Sequence, residues 1–205
     1  MPSATAPKPD TDQDATRRLS PHERIVEVAR DLFCRDGIHA TGIDRILAEA
    51  GASKMTLYNR FGSKEALLRE VLAREGSEWR ATFFAGIKAA SPDPADRLAA
   101  VIDALRPWFI GDRFYGCAFM NAAAEGAKGG GATWLREMTA GHHGAILAFL
   151  AGLAGDAGYA EPAVLARQVL LVVDGAIAAM MVSGDPAVLD IAARNLRAVL
   201  AHPGA

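Results

Sequence analysis

Residues 41–68, TGIDRILAEAGASKMTLYNRFGSKEALL, decide the fold of the N-terminal part of this chain. Apolar side chains repeat at helical spacing over residues 43–50 and again at Leu57 and Phe61. Between the two segments lies a turn of three residues, 51–53, that begins with glycine. Two short helices joined by so short a turn are typical of a helix-turn-helix.

Capping residues predict where the helices of this region begin. Ser20, with Glu23 three residues later, predicts a capping box at the start of a first helix. Thr41 and Asp44 have the same spacing, so Thr41 is the predicted cap of the second helix. Ser53 is the predicted cap of the third.

The rest of the chain also predicts helices. Apolar positions continue from residue 63 to residue 90 without a breaker, and no alternating pattern typical of strands occurs. Turns rich in Gly or Pro then separate five further segments, near 94–110, 117–127, 132–154, 161–183 and 186–202. The sequence predicts an all-α protein of about nine helices, with a flexible arm at 1–19, a small N-terminal domain at 20–66 and a larger C-terminal one at 67–205.

Composition excludes several classes of protein. The chain has 22 Lys and Arg against 24 Asp and Glu, so its overall charge gives no argument for a nucleic-acid partner. The spacing of Cys34 and Cys117 suits neither a disulfide scaffold nor a metal site, which favours the cytoplasm and predicts no metal and no cofactor. No signal peptide or membrane span is predicted, and the nearest candidate, residues 138–155, is interpreted as a buried helix of a soluble protein.

The helix predicted from Lys54 to Phe61 has two different sides. Leu57 and Phe61 face inward, and residues 50–64 contain three cations and no acid. The helix starts predicted at Thr41 and Ser53 would turn backbone N–H groups toward phosphates. We therefore expect this helix to bind double-stranded DNA in the major groove. Its outer residues are Lys54, Met55, Thr56, Tyr58, Asn59 and Arg60.

The segment from Ile25 to Val71 resembles the DNA-binding domain of the TetR/AcrR family of bacterial transcriptional regulators, most specifically from Thr41 to Leu68. The resemblance implies a homodimer that binds a palindromic operator, most often as a repressor, and is released by a small-molecule inducer. It assigns DNA binding to residues 20–66, and ligand binding and dimerisation to residues 67–205.

The resemblance also implies individual DNA contacts. Thr41, Thr56, Tyr58 and Lys64 match family positions that contact phosphates or the groove. Base contacts in the family come from variable positions at the start and outer side of the third helix. Those positions are Lys54, Met55 and Asn59 here.

The chain departs from the family pattern at two positions. Arg60 stands where a histidine is common, and Gly42 replaces a usual Ser or Thr. These departures affect the operator sequence and the phosphate contacts, and they leave the class of protein unchanged.

The helices predicted at 161–183 and 186–202 are the candidates for the dimer interface. The first is apolar on nearly all sides, which exceeds what the core side of a surface helix requires. Small residues such as Gly175 and Ala179 would let a partner helix approach closely. Burial within one chain is the alternative interpretation of the same pattern.

A ligand pocket is expected between the middle helices, where aromatic residues are concentrated. A few polar groups among them would orient an apolar ligand. Most of the aromatics could instead be part of the core, and Asp174 could pair across the dimer instead of with a ligand. The candidates are Phe83, Trp108, Phe119, Asn121, Trp134, His142 and Asp174.

Residues 116–125 resemble a stretch at the start of the sixth helix in one branch of the family. This resemblance suggests that an effector near Asn121 moves that helix and then the fourth helix. The separation of the two DNA-reading helices would change as a result.

An enzyme and other kinds of regulator are the alternatives to this interpretation. An enzyme would need an orienting group beside Cys117 and His142 or His143, and no motif supplies one, so no enzymatic activity is predicted. The open alternatives are a redox sensor that uses Cys34 and Cys117, and an activator or ligand-independent regulator with the same DNA-binding domain.

Overall fold

The structure is a computed structural model that describes residues 19–128 and 133–202, with the backbone alone at 127 and 128. All of the predicted arm at 1–19 except Leu19 therefore lies outside the described residues. The described residues form ten α-helices and no strand, which confirms the all-α prediction. The helices are α1 (Pro21–Asp36), α2 (Ile43–Ala50), α3 (Lys54–Phe61), α4 (Lys64–Ala90), α5 (Pro94–Ala99), α6 (Val101–Phe109), α7 (Ala118–Lys128), α8 (Thr133–Asp156), α9 (Pro162–Ser183) and α10 (Ala187–Ala201).

One predicted helix is divided. The segment expected near 94–110 forms α5 and α6, which meet at Ala100, and the described helices number nine if these two are counted together. Ala100 has φ −84° and ψ −1°, outside the regular helical range, so the helical path is interrupted there.

The chain divides into two compact units, Met1–Leu72 and Ala73–Ala205. Helix α4 contributes residues to both. Each unit has its own buried apolar side chains.

In the first unit, helix α1 begins with the capping box that the sequence predicts. The Ser20 hydroxyl accepts a hydrogen bond from the Glu23 amide, and the Glu23 carboxylate accepts one from the Ser20 amide. Leu57 and Phe61 are both buried, which confirms the inner side of α3. Apolar side chains from all four helices complete this core: Ile25, Val26, Ala29, Leu32, Phe33, Ile46, Leu47, Ala50, Leu67, Leu68, Val71 and Leu72.

The predicted cap of α2 is wrong. Gly42 is the N-cap residue and provides no side-chain hydrogen bond. Thr41 is fully buried, and its hydroxyl lies 2.7 Å from the Gly37 carbonyl oxygen and 3.2 Å from that of Leu32. Carbonyl groups at a helix end lack partners within the helix, so Thr41 closes the end of α1 rather than the start of α2.

The second unit is organised around α9, which packs against α8 and α10. Among the described residues, α9 is the one helix long and apolar enough to span a membrane by length and composition, with a mean hydropathy of 1.8 over its most apolar window. The most apolar helix is therefore α9 and not the segment at 138–155. Its inner residues Leu165, Val169, Val173 and Ile177 are buried in the core of the unit.

Candidate nucleic-acid interface and internal cavity

The turn before α3 is held by its backbone and by two side chains. Gly51 has φ 59° and ψ 42°, a left-handed conformation that suits glycine and ends α2. The Ser53 hydroxyl accepts a hydrogen bond from the Thr56 amide at 3.1 Å, which confirms Ser53 as the cap of α3. Arg24 donates from Nε to the Ala50 carbonyl oxygen at 3.0 Å, a contact between residues 26 apart that no local sequence pattern predicts.

The outer side of α3 is exposed. Met55 is 72% exposed and Tyr58 is 52% exposed, and Asn59 and Arg60 are exposed as well. Thr56 is half-buried, and its hydroxyl lies 2.9 Å from that of Ser53. The outer side thus offers an aromatic ring, an amide and a guanidinium group, which are chemical groups that read base edges and phosphates.

Lys54 is not a free cation at the start of α3. Its Nζ lies 2.8 Å from Asp44 Oδ1, and this contact raises the pKa of Lys54. The sequence between residues 50 and 64 contains no acid, but α2 supplies one across the turn. The positive charge of this surface is therefore smaller than the sequence alone suggests.

Lys64 has a structural contact in addition to its predicted phosphate contact. Its ammonium group donates to the Ile38 carbonyl oxygen at 2.5 Å and lies 5.8 Å from the centre of the Phe33 ring. The lysine therefore ties the start of α4 to α1 and to the loop that follows α1. Its role in DNA binding stays a prediction.

A cavity lies inside the second unit, among residues of α4, α6, α7, α8 and α9. The space between its atoms is about 410 Å³ when the part open to solvent is included, but its shape leaves room for little more than one water molecule. A ligand larger than water therefore requires side chains to move. The lining residues are Glu75, Gly76, Trp79, Trp108, Gly116, Cys117, Ala118, Phe119, His142, His143, Ile146, Leu170, Val173, Asp174 and Ile177.

Four of the seven predicted pocket residues line this cavity: Trp108, Phe119, His142 and Asp174. The other three, Phe83, Asn121 and Trp134, do not.

Each of those three has another position in the unit. Phe83 is buried beside Trp79, with ring centres 4.7 Å apart. The Asn121 side chain donates to the Tyr115 carbonyl oxygen at 2.9 Å and so braces the approach to α7. Trp134 lies near the start of α8, about 12 Å along the helix axis from His142.

His142 is the most buried polar residue of the cavity, with 6% of its surface exposed. Its Nδ1 lies 2.9 Å from Nη1 of Arg80. Its ring stacks on Phe119, with centres 4.1 Å apart and planes 13° from parallel. Burial, followed by the charges of Arg80 and His143, lowers the pKa of His142 to about 4. The ring is therefore neutral at physiological pH.

Asp174 is the acidic residue that α9 contributes to the cavity lining. Its Oδ1 is 3.8 Å from Nε2 of His143, too far for a hydrogen bond. Burial raises the pKa of Asp174, and the charge of His143 opposes this shift. His143 therefore offsets the burial of this carboxylate only in part.

Cys117 also lines the cavity, but its environment does not favour redox chemistry. Burial raises the pKa of the Cys117 thiol, so the reactive thiolate is scarce at neutral pH. Within the part of the chain that the structure describes, no group of three or more His, Cys, Asp or Glu side chains could hold a metal ion.

The neutral state of His142 predicts a pH-dependent stability. The histidine pKa is 6.5 in the unfolded chain and about 4 in the folded one, so its contribution is complete above pH 6.5 and is lost as the pH falls toward 4. The loss is roughly 3 kcal/mol, at about 1.4 kcal/mol for each unit of pKa. Asp174 acts in the opposite direction, because its raised pKa favours the folded state at low pH.

A comparison of wild type with a His142 variant separates the contribution of His142 to stability from that of Asp174. His142→Gln keeps an acceptor for Arg80 and cannot titrate in this range. Urea unfolding measures the free energy of unfolding of wild type and of His142→Gln between pH 4 and 7. The difference between the two proteins should change by roughly 3 kcal/mol over this range. The exposed His202→Gln serves as the control and should show no such change. A constant difference for His142→Gln would contradict the assigned neutral state.

Comparison with known proteins identifies the first unit. The model of the family described as "Bacterial regulatory proteins, tetR family" matches residues 25–71. The transcriptional regulator LmrA of Bacillus subtilis is 36% identical over 84 residues, which are 40% of this chain and 44% of LmrA. QacR of Staphylococcus aureus is 38% identical over 58 residues, 28% of this chain and 31% of QacR. The chain thus matches less than half the length of these curated relatives.

Solved structures resemble both units. SCO4454, a TetR-family transcriptional regulator from Streptomyces coelicolor, is 28% identical, with a TM-score of 0.81 over 88% of this chain and 94% of that one. The sequence match and the fold therefore agree on one family, whose matched members are transcriptional regulators and not enzymes.

Proposed function

We propose that this chain, which belongs to the TetR family of DNA-binding transcriptional regulators, is a repressor in the cytoplasm. It binds a palindromic operator as a homodimer and leaves it when a small molecule occupies the cavity of the second unit. The observation that carries the proposal is the exposed outer side of α3, which is fixed from beneath by Leu57 and Phe61.

Two features support a major-groove contact by α3. Helix α3 begins after its cap Ser53 at an exposed end. A phosphate there can accept hydrogen bonds from the first backbone N–H groups of the helix. Asn59 and Arg60 stand on the exposed side, and both side-chain types can make paired hydrogen bonds to base edges. Thr41 cannot offer its hydroxyl in this conformation, because that group bonds to carbonyls within the unit.

An exposed apolar surface on α9 and α10 supports the homodimer. Leu171 is 71% exposed and Val182 is 89% exposed, although both lie in the most apolar helix of the chain. A groove beside them is lined by small residues, including Gly175 and Ala179, and by Ile191 of α10. Because large apolar side chains on the surface mark interaction sites, we assign this surface to a second copy of the chain.

The cavity supports control by a ligand. It is enclosed by aromatic and aliphatic side chains with a few polar groups, the usual composition of a small-molecule site. Its lining includes Glu75 and Trp79 from α4, the helix that also belongs to the first unit. A ligand that binds one position of α4 more tightly than another would therefore change operator affinity.

The proposal is tested by selecting duplexes from a random library with the full-length protein. We expect a palindromic consensus, bound by two chains, with an affinity at least about 1,000-fold above that for a scrambled duplex. Transcription in vitro from a promoter that contains the consensus should fall when the protein is added. Selection that enriches no duplex would contradict the proposal, and increased transcription would contradict repression.

The Lys54 and Asp44 pair gives a separate prediction. Asp44→Asn removes an exposed negative charge beside the expected phosphate path and releases Lys54. We expect a several-fold higher operator affinity and a steeper fall of affinity with salt, by about 1–2 in the logarithmic slope, because two more cations per dimer can neutralise phosphates. Fluorescence anisotropy over a range of salt concentrations measures both quantities.

Asp103→Asn is the matched control for this prediction. Asp103 is also exposed and also pairs with a basic residue, Arg106, but it lies in the second unit. The control should leave both affinity and slope unchanged. Unchanged binding by Asp44→Asn would place Lys54 and Asp44 outside the DNA interface.

A further inference from the structure

The polar groups of the cavity specify the charge of its ligand. Among the described residues that line it, Glu75 and Asp174 carry carboxylates, and none is lysine or arginine. Arg80 is not a lining residue, and its Nη1 lies 2.9 Å from Nδ1 of His142. The lining is therefore acidic.

His142 offers the ligand a hydrogen-bond donor. A guanidinium group can only donate, so Nδ1 of His142 accepts the hydrogen bond from Arg80 and the ring proton is on Nε2. In the described part of the chain, no group accepts a hydrogen bond from Nε2. The ring is more than nine-tenths buried and lines the cavity, so an acceptor atom of a ligand there can receive a hydrogen bond from Nε2.

Aromatic rings surround these polar groups. Trp79 and Trp108 meet edge to face, with ring centres 5.5 Å apart and planes at 72°. Phe119 lies at the same cavity, stacked on His142. The faces of aromatic rings attract cations, most strongly those of tryptophan and most strongly away from water.

From these groups we infer that the ligand is an organic cation with an aromatic ring, such as a protonated arylalkylamine. Its cationic nitrogen lies by Asp174, its ring lies against Trp79 and Trp108, and an acceptor atom on it receives the Nε2 hydrogen of His142. The inference rests on the proposed function for the existence of a ligand, and it adds the chemical class. An anion would meet the two carboxylates, and a neutral molecule would leave Asp174 without a partner.

The test measures binding of matched probes to the full-length protein without DNA. Naphthylmethylamine, naphthylmethanol and naphthoate have similar sizes and are cationic, neutral and anionic at pH 7. Isothermal titration calorimetry should give an affinity for the amine at least about tenfold above that for the alcohol, since hydrogen bonds to a buried charge are strong. Naphthoate should bind more weakly than either.

Variants assign the preference to residues. Asp174→Asn should lower the affinity for the amine by about tenfold and leave the affinity for the alcohol unchanged. Asp103→Asn should change neither affinity. Glu75→Gln, at the other lining carboxylate, should also weaken binding of the amine, and Glu78→Gln, exposed one turn further along α4, is its control and should not. Thermal melting confirms that each variant is folded before binding is measured.

A second probe pair tests His142. Quinolinylmethylamine adds one ring nitrogen, a hydrogen-bond acceptor, to the same shape. It should bind several-fold more tightly than naphthylmethylamine in the wild type, and this gain should disappear in His142→Phe, which keeps the stacking on Phe119.

Three results would overturn the inference: binding of none of the probes, tighter binding of the alcohol or of naphthoate, or an amine affinity that Asp174→Asn does not change. Release of operator DNA is measured separately with the same amine. Amine binding that depends on Asp174 supports the inference even if the operator complex stays intact, and that result would contradict only the proposed release.

Discussion

Leu171→Glu is expected to convert the protein from a dimer to a monomer and to weaken operator binding by more than about 100-fold. The side chain is 71% exposed in the single chain, so a glutamate there should cost the fold little. In the proposed dimer it would place two carboxylates in an apolar interface, where unpaired charges are costly. A monomer holds one α3 helix and loses the gain from two linked contacts, which is about 100-fold or more.

Light scattering after size exclusion and fluorescence anisotropy measure the two effects. The wild type should have twice the chain mass of 21.6 kDa, as a dimer does, and the variant should have the mass of a single chain. Ile110→Glu is the control, because Ile110 is 63% exposed and does not line the groove of α9 and α10. A dimeric Leu171→Glu protein would contradict the assigned interface.

Asn59→Ala and Tyr58→Ala should each weaken operator binding, and they should do so in different ways. Asn59 occupies a position of expected base contact, and a paired hydrogen bond to a base is worth about 1–3 kcal/mol of discrimination. Because the dimer makes the contact twice, we expect a loss of at least about 30-fold on the selected operator. The preference at one base pair in each half-site should be lost with it.

Tyr58 occupies a position of expected phosphate contact. Phosphate contacts position the protein and carry no sequence information, so Tyr58→Ala should weaken binding to all duplexes by a similar factor. Anisotropy titrations with the consensus and with each single-base variant measure the difference. If Asn59→Ala weakened all duplexes equally, its assigned base contact would be wrong.

Local signals in the sequence predicted most of the first unit. The capping box of Ser20 and Glu23, the cap at Ser53 and the inward side of Leu57 and Phe61 depend on residues within one or two helical turns, and the structure contains all of them. Thr41 shows where such signals fail. Its spacing to Asp44 satisfies a capping pattern, but nearby carbonyls at the end of α1 hold its hydroxyl instead.

Contacts between helices were not predictable in the same way. Lys54 stands in an acid-free stretch, yet Asp44 of α2 pairs with it, and the ammonium group of Lys64 reaches the Ile38 carbonyl across 26 residues. Such pairs depend on the packing of helices, about which a local pattern carries no information.

The cavity was predicted in part for the same reason. The concentration of aromatic residues pointed to the middle helices, and Trp108 and Phe119 do line the cavity. Which aromatic side chains face it and which fill the core depends on helix rotation, so the sequence could not show that Phe83 and Trp134 lie outside its lining. Glu75 was missed because its carboxylate gives no signal within an amphipathic helix.

A guanine N7 methylation footprint of the selected operator tests the central claim most directly, because N7 lies in the major groove. We expect two protected segments, one in each half-site and on the same side of the duplex, where two α3 helices lie. We also expect that Leu171→Glu removes both at the concentration that protects them in the wild type. Binding that leaves N7 fully reactive in both half-sites would contradict the claim that α3 reads the major groove.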